Sequence, residues 1–175
     1  MKASRLSFLL SVLCTAALTI GLCFCIITSF IVPADTLRLA LACVCIALLC
    51  SALLLLPKSW IWLLGTVLLL AGGIYYLKDA VWESFSTLLY AISTQYVDAF
   101  PSLQVLSLTA APADGDAALI LLLLSIPYAL LCSWTVLRGE SLVYLLGAVL
   151  PPLALCLVIL QTPPAAWAIL LVVGV

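Results

Sequence analysis

The chain has 175 residues, of which 67% are hydrophobic and 7% are charged, with six basic and seven acidic side chains. Soluble globular domains carry about 25% charged residues, so the composition excludes a water-soluble fold, and its hydrophobicity excludes intrinsic disorder. The near-neutral charge argues against a nucleic-acid partner, because nucleic acids are bound by clustered Lys and Arg. A mean hydropathy of +1.42 predicts an integral membrane protein whose main partner is the lipid bilayer.

The apolar runs predict an all-α fold, a polytopic transmembrane helical bundle with five full spans and a truncated sixth. A membrane-crossing helix needs about 20 mostly apolar residues. The predicted spans are 7–32, 37–56, 60–77, 117–137, 141–160 and, incomplete, 165–175. The last stretch would form roughly 16 Å of helix, against a hydrocarbon core of about 30 Å. We therefore expect the chain to be a fragment of a longer membrane protein.

The segment 78–116 is the one long stretch between spans, and its first half has a helical period. Apolar residues recur there at spacings of three and four, which predicts an amphipathic helix stopped by Pro101. We expect this helix to lie in the outer interface or to cap the bundle. The apolar stripe consists of Val81, Phe85, Leu88, Leu89, Ile92, Tyr96 and Phe100, with Glu83, Ser84, Thr87, Thr94 and Asp98 covering the other faces.

Basic residues predict the orientation. Cytoplasmic loops carry an excess of Lys and Arg. A cytoplasmic N-terminus places four of the six basic residues on the cytoplasmic side. The first span lacks a cleavage site of small residues, which favours a retained helix over a signal peptide. The prediction is a multi-pass protein of the bacterial cytoplasmic membrane, with segment 78–116 extracytoplasmic. In that orientation Lys2, Arg5, Lys58 and Arg138 lie inside, and Arg38 and Lys78 lie outside.

The eight cysteines and several other residues within the spans are interpreted as packing features. Cys23/Cys25 and Cys43/Cys45 fall at similar depth if the first two spans form an antiparallel hairpin. Residues two apart are about 200° apart around a helix, so neither pair chelates a metal from one face. Gly72-Gly73 and Pro127 are expected to serve close helix packing and a packing kink. We predict no metal site and no cofactor.

No catalytic residue is predicted. The sequence contains no histidine, which removes the usual base of a Ser or Cys nucleophile. The carboxylate pairs Asp79/Glu83 and Asp114/Asp116 are interpreted as solvated, on a helix face and in a turn. Every charge falls in a loop or within about one turn of the end of a predicted span, which argues against proton-coupled transport.

The chain resembles the N-terminal membrane region of bacterial transglutaminase-like membrane proteins, particularly those of clostridia. The resemblance is carried by the residues Tyr96-Val97-Asp98-Ala99-Phe100-Pro101, Trp134 to Arg138, Tyr144-Leu145-Leu146-Gly147-Ala148-Val149-Leu150-Pro151-Pro152 and Gln161-Thr162-Pro163-Pro164-Ala165-Ala166-Trp167. It implies that this chain anchors an extracytoplasmic papain-like domain with a Cys-His-Asp triad beyond residue 175. No catalytic residue can be carried over to this sequence.

The sequence therefore predicts a non-catalytic anchor or scaffold of a larger cell-envelope protein. An alternative of a different class is a small transport component. Its helix count and length resemble the substrate-binding subunit of energy-coupling-factor transporters, which dock a partner through small-residue surfaces. The alanines that would form such a surface are Ala16, Ala17, Ala40, Ala42 and Ala47.

Overall fold

A computed structural model describes residues 5–56, 59–99 and 116–138, together with the single positions 143, 146, 147, 149–151, 154, 166 and 169. This described part is almost entirely helical and forms no strand, as the sequence predicts. Its five helices are α1 (Arg5–Phe30), α2 (Thr36–Leu55), α3 (Ser59–Tyr76), α4 (Lys78–Ala99) and α5 (Ala118–Arg138).

Three of the predicted spans are confirmed as helices that could cross a membrane unaided. They are Leu6–Phe30, Thr36–Leu55 and Ala118–Arg138, and their ends fall within two residues of the predicted ones. Length and hydropathy are sufficient to predict them, because in hydrocarbon only a continuous helix satisfies its own backbone groups. The predicted fifth and sixth spans, 141–160 and 165–175, lie outside the described residues except at the single positions.

The third predicted span corresponds to α3, but the structure does not support it as an independent crossing. Leu63–Tyr76 meets the criteria for a span only together with Lys78–Asp98, from which it is bent by 85°. The count of candidate spans is therefore three, or four if this bent pair is one broken span. The prediction of five full spans and a sixth is not supported.

The amphipathic helix predicted after the third span is present as α4, which ends at Ala99; Phe100 and Pro101 lie outside the described residues. Leu88, Ile92 and Tyr96 of the predicted stripe pack against the core, but the inward face also includes two residues predicted to lie on the other faces. Ser84 is 2% exposed and Thr87 5%, whereas Phe85 is 36% exposed. The Ser84 hydroxyl accepts a hydrogen bond of 3.1 Å from the Ile120 N–H. The hydroxyl thus caps the start of α5, where a helix has free N–H groups.

The folded centre consists of α1, α2 and α5. Ser11 meets Ser51 and Cys23 meets Cys43, so α1 and α2 are antiparallel. Thr15 meets Ser133 and Cys23 meets Leu121, so α5 is antiparallel to α1 as well, and α2 and α5 therefore run in the same direction. We call the end where α1 begins the Arg138 end of the bundle, and the opposite end the Asp35 end.

Gly72-Gly73 and Pro127 were both predicted to serve helix packing. A Cβ atom added at Gly72 or Gly73 would meet no described atom within 4 Å, so none of the described helices approaches closely at these glycines. α5 continues through Pro127 as one helix, and Pro127 is exposed.

Candidate functional site

The contact between α1, α2 and α5 is formed by residues spaced four apart on each helix. Twelve residues at this spacing are all 0% exposed, and ten of them are Ser, Thr, Cys or Ala. Small side chains at i and i+4 allow helix backbones to approach closely in a membrane. We call this contact the four-residue seam; it consists of Ser11, Thr15, Thr19 and Cys23 of α1, Leu39, Cys43, Ala47 and Ser51 of α2, and Leu121, Ser125, Ala129 and Ser133 of α5.

Four hydroxyls of the seam form a hydrogen-bonded chain across all three helices. Ser51 Oγ is 3.1 Å from Ser11 Oγ and 3.2 Å from Ser133 Oγ. Ser133 Oγ is in turn 3.0 Å from Thr15 Oγ1. We call these four residues the hydroxyl cluster. Each hydroxyl has a partner on another helix, which compensates the cost of burying it.

A layer of thiols lies further along the seam, toward the Asp35 end. The Cys43 thiol faces the Cys23 sulfur at 3.9 Å, and the Cys23 thiol points to the Leu121 carbonyl at 3.8 Å. Thr19 donates to the Thr15 carbonyl of its own helix at 2.9 Å. Its hydroxyl and that of Ser125 also contact Cys43. The predicted matching depth of Cys23 and Cys43 is confirmed, and one cysteine of each pair faces the other helix.

The seam has hydroxyls, thiols and helix backbone, but its residues carry no charge. Among the described residues, no three His, Cys, Asp or Glu side chains lie close enough to hold a metal ion. The charged residues of α1, α2 and α5 are Arg5, Arg38 and Arg138, each at or within one turn of a helix end. The chemistry available to the seam is therefore hydrogen bonding and close packing between helices.

The cysteines were predicted from the sequence to be packing residues, but the seam was not predicted. The signal was present, since the α1 stretch reads Ser-x3-Thr-x3-Thr-x3-Cys from Ser11 to Cys23. Of the alanines predicted to form an outer docking surface, Ala47 is instead 0% exposed and lies inside the seam. The carboxylates of Asp79 and Glu83 are exposed, as predicted, and Asp114 lies outside the described residues.

Comparisons with protein families, with curated proteins and with solved structures find no match to this chain.

Proposed function

We propose that this chain is a non-catalytic membrane scaffold, the anchoring region of a larger cell-envelope protein. The observation that supports this most is the hydroxyl cluster, in which the four buried hydroxyls bind one another across three helices. Polar groups used in this way stabilise helix association. A transport or catalytic site would require polar groups that face a substrate.

The anchored partner proposed here is an extracytoplasmic transglutaminase-like domain of the same gene product, with the N-terminus of this chain in the cytoplasm. The resemblance to bacterial transglutaminase-like membrane proteins supports the presence of this domain. The orientation is supported by the sequence, in which four basic residues (Lys2, Arg5, Lys58 and Arg138) fall on the proposed cytoplasmic side and two (Arg38 and Lys78) on the other.

The size of the native gene product tests the anchor hypothesis. An antibody raised against the peptide 102–115 is used to detect the protein in membranes of the source cell, beside the recombinant 175-residue chain of 18.6 kDa. We expect a native band well above the recombinant one, resistant to extraction with alkaline carbonate. Cleavage with an added protease on the extracytoplasmic side should release a soluble domain.

A native band at the same position as the recombinant chain would contradict the anchor hypothesis. In that case co-purification with an ATPase would favour the energy-coupling-factor alternative, in which this chain binds a substrate.

A further inference from the structure

An apolar groove of about 570 Å³ lies between α5 and the junction of α2 with α3. It is close to the Arg138 end, since Leu54 precedes the end of α2 and Leu63 follows the start of α3. The α5 wall includes Leu130, Leu131 and Trp134. Thr135 also lines the groove, but its hydroxyl donates to the Cys132 carbonyl at 2.8 Å. The walls therefore offer hydrocarbon contacts, and the volume is that of a small-molecule site.

The positively charged side chain of Arg138 lies at one end of this groove. The Arg138 guanidinium lies over the ring of Trp134, 4.7 Å from its centroid, and Trp134 itself lines the groove. The Arg138 side chain is otherwise exposed. A cation stacked on an aromatic ring is held in place while its N–H groups remain available to an anion.

Of the described residues, the charged ones at this end of the bundle are Arg5, which begins α1, and Arg138, and both are basic. At the opposite end, the Arg38 guanidinium is paired with the Asp35 carboxylate at 3.0 Å. The two ends therefore differ in the charge they present to lipid headgroups.

We propose that the groove binds one anionic phospholipid, with an acyl chain along its leucine walls and the phosphate at Arg138. The apolar walls of the groove fit an acyl chain, and the basic residue at its end fits a lipid headgroup with net negative charge. The site is independent of the scaffold function: it requires only that the helices lie in a bilayer, and it can exist in an anchor or in a transporter.

Quenching of Trp134 fluorescence by brominated acyl chains tests the proposal in nanodiscs that contain the whole chain. Trp60, Trp62, Trp82 and Trp167 are replaced by Phe, and circular dichroism confirms that the helices remain. The probes are brominated phosphatidylglycerol and brominated phosphatidylcholine with identical acyl chains. We expect phosphatidylglycerol to give half-maximal quenching at about a fivefold lower mole fraction, the ratio expected for one basic residue.

Two matched variants separate this site from general electrostatic attraction. Arg138→Gln should remove the fivefold preference, whereas Arg38→Gln, which removes one exposed charge at the other end, should keep it. Leu63→Phe, which narrows the groove, should weaken quenching by both lipids. Equal quenching by the two lipids in the unmutated groove would overturn the proposal, as would an unchanged preference in Arg138→Gln or equal losses in the two arginine variants.

Discussion

At the level of single residues, hydroxyl side chains of α1 are fully buried while leucines two positions away face outward. Ser11 and Thr15 are 0% exposed, whereas Leu9 and Leu13 are 58% and 67% exposed. This inversion has a physical cause. Lipid solvates leucine as well as a protein core does, so packing and hydrogen bonds, and not hydrophobicity, decide which face turns inward.

The central pair of the hydroxyl cluster, Ser51 and Ser133, should be energetically coupled. Ser51→Ala and Ser133→Ala each remove interhelical hydrogen bonds, so the double variant should lose less stability than the sum of the singles. We expect a coupling free energy of about 0.6 kcal/mol, and at most about 1.7 kcal/mol, as measured for hydrogen bonds between membrane helices. The measurement is unfolding in mixed micelles by SDS titration.

The control pair for this double-mutant cycle is Ser51→Ala with Ser93→Ala. Ser93 is on α4 and donates only to the Tyr90 carbonyl of its own helix, so this pair should be additive. Additivity of Ser51 and Ser133 as well would show that the cluster contributes nothing across the helices.

Ile31, which follows α1, holds a strained backbone conformation. Its φ is +50°, in the left-handed region, where a β-branched residue is disfavoured by roughly 1–2 kcal/mol. The Val32 N–H donates to the Ile27 carbonyl at 3.1 Å, the hydrogen bond of a Schellman motif that glycine usually closes. Ile31 is 72% exposed, so shortening its side chain removes few contacts.

The variant Ile31→Gly should therefore be more stable than the unmutated chain by about 1 kcal/mol, after allowance for the greater freedom of unfolded glycine. Ile31→Val keeps the branched Cβ and should leave stability unchanged. The SDS titration compares all three proteins. A glycine variant no more stable than the valine variant would show that the strain is absent.

At the level of helices, α4 is part of the bundle because residues of its apolar stripe and of its polar face both pack inward. Leu88 is 8% exposed, and Ser84 and Thr87 on the same face are buried with it. The α4 helix thus contacts the start of α5 and the end of α1, near the Asp35 end. The inward face of α4 therefore combines part of the predicted apolar stripe with two hydroxyl residues that were predicted to lie on the other faces.

Ser84→Ala should destabilise the start of α5, since the Ile120 N–H loses its acceptor. The cost of a lost helix N-terminal cap is about 1 kcal/mol. Hydrogen exchange should become faster at the first turn of α5 and remain unchanged near Ser133. Ser86→Ala is the matched control, because Ser86 donates only to the Glu83 carbonyl within α4. Equal exchange in both variants would mean that Ser84 does not cap α5.

The sequence is sufficient to predict which segments are helices, but not how they pack. Span limits follow from length and continuous apolarity, and the turn before α2 follows from Pro33 and from the capping carboxylate of Asp35. The seam could not be chosen from hydropathy, because both faces of α1 and α2 are apolar enough for lipid. The break between α3 and α4 at Leu77 was predicted, because the charged residues Lys78 and Asp79 follow the apolar run, but the 85° angle between the two helices was not.

At the level of the whole molecule, the opposite ends of the bundle should lie on opposite sides of the membrane, with the Arg138 end in the cytoplasm. Leu56 and Leu77 test this, because they lie at opposite ends, carry no charge and have similar exposure, 43% and 47%. Each is replaced by Cys in a chain whose eight native cysteines have been removed. A membrane-impermeant maleimide should label Leu77→Cys in intact cells, and Leu56→Cys only after permeabilisation. This expectation follows from the cytoplasmic enrichment of Lys and Arg, which sets topology. The reverse labelling pattern would place Arg5 and Arg138 outside and contradict the proposed orientation. Labelling of both variants in intact cells would contradict a bundle that crosses the membrane.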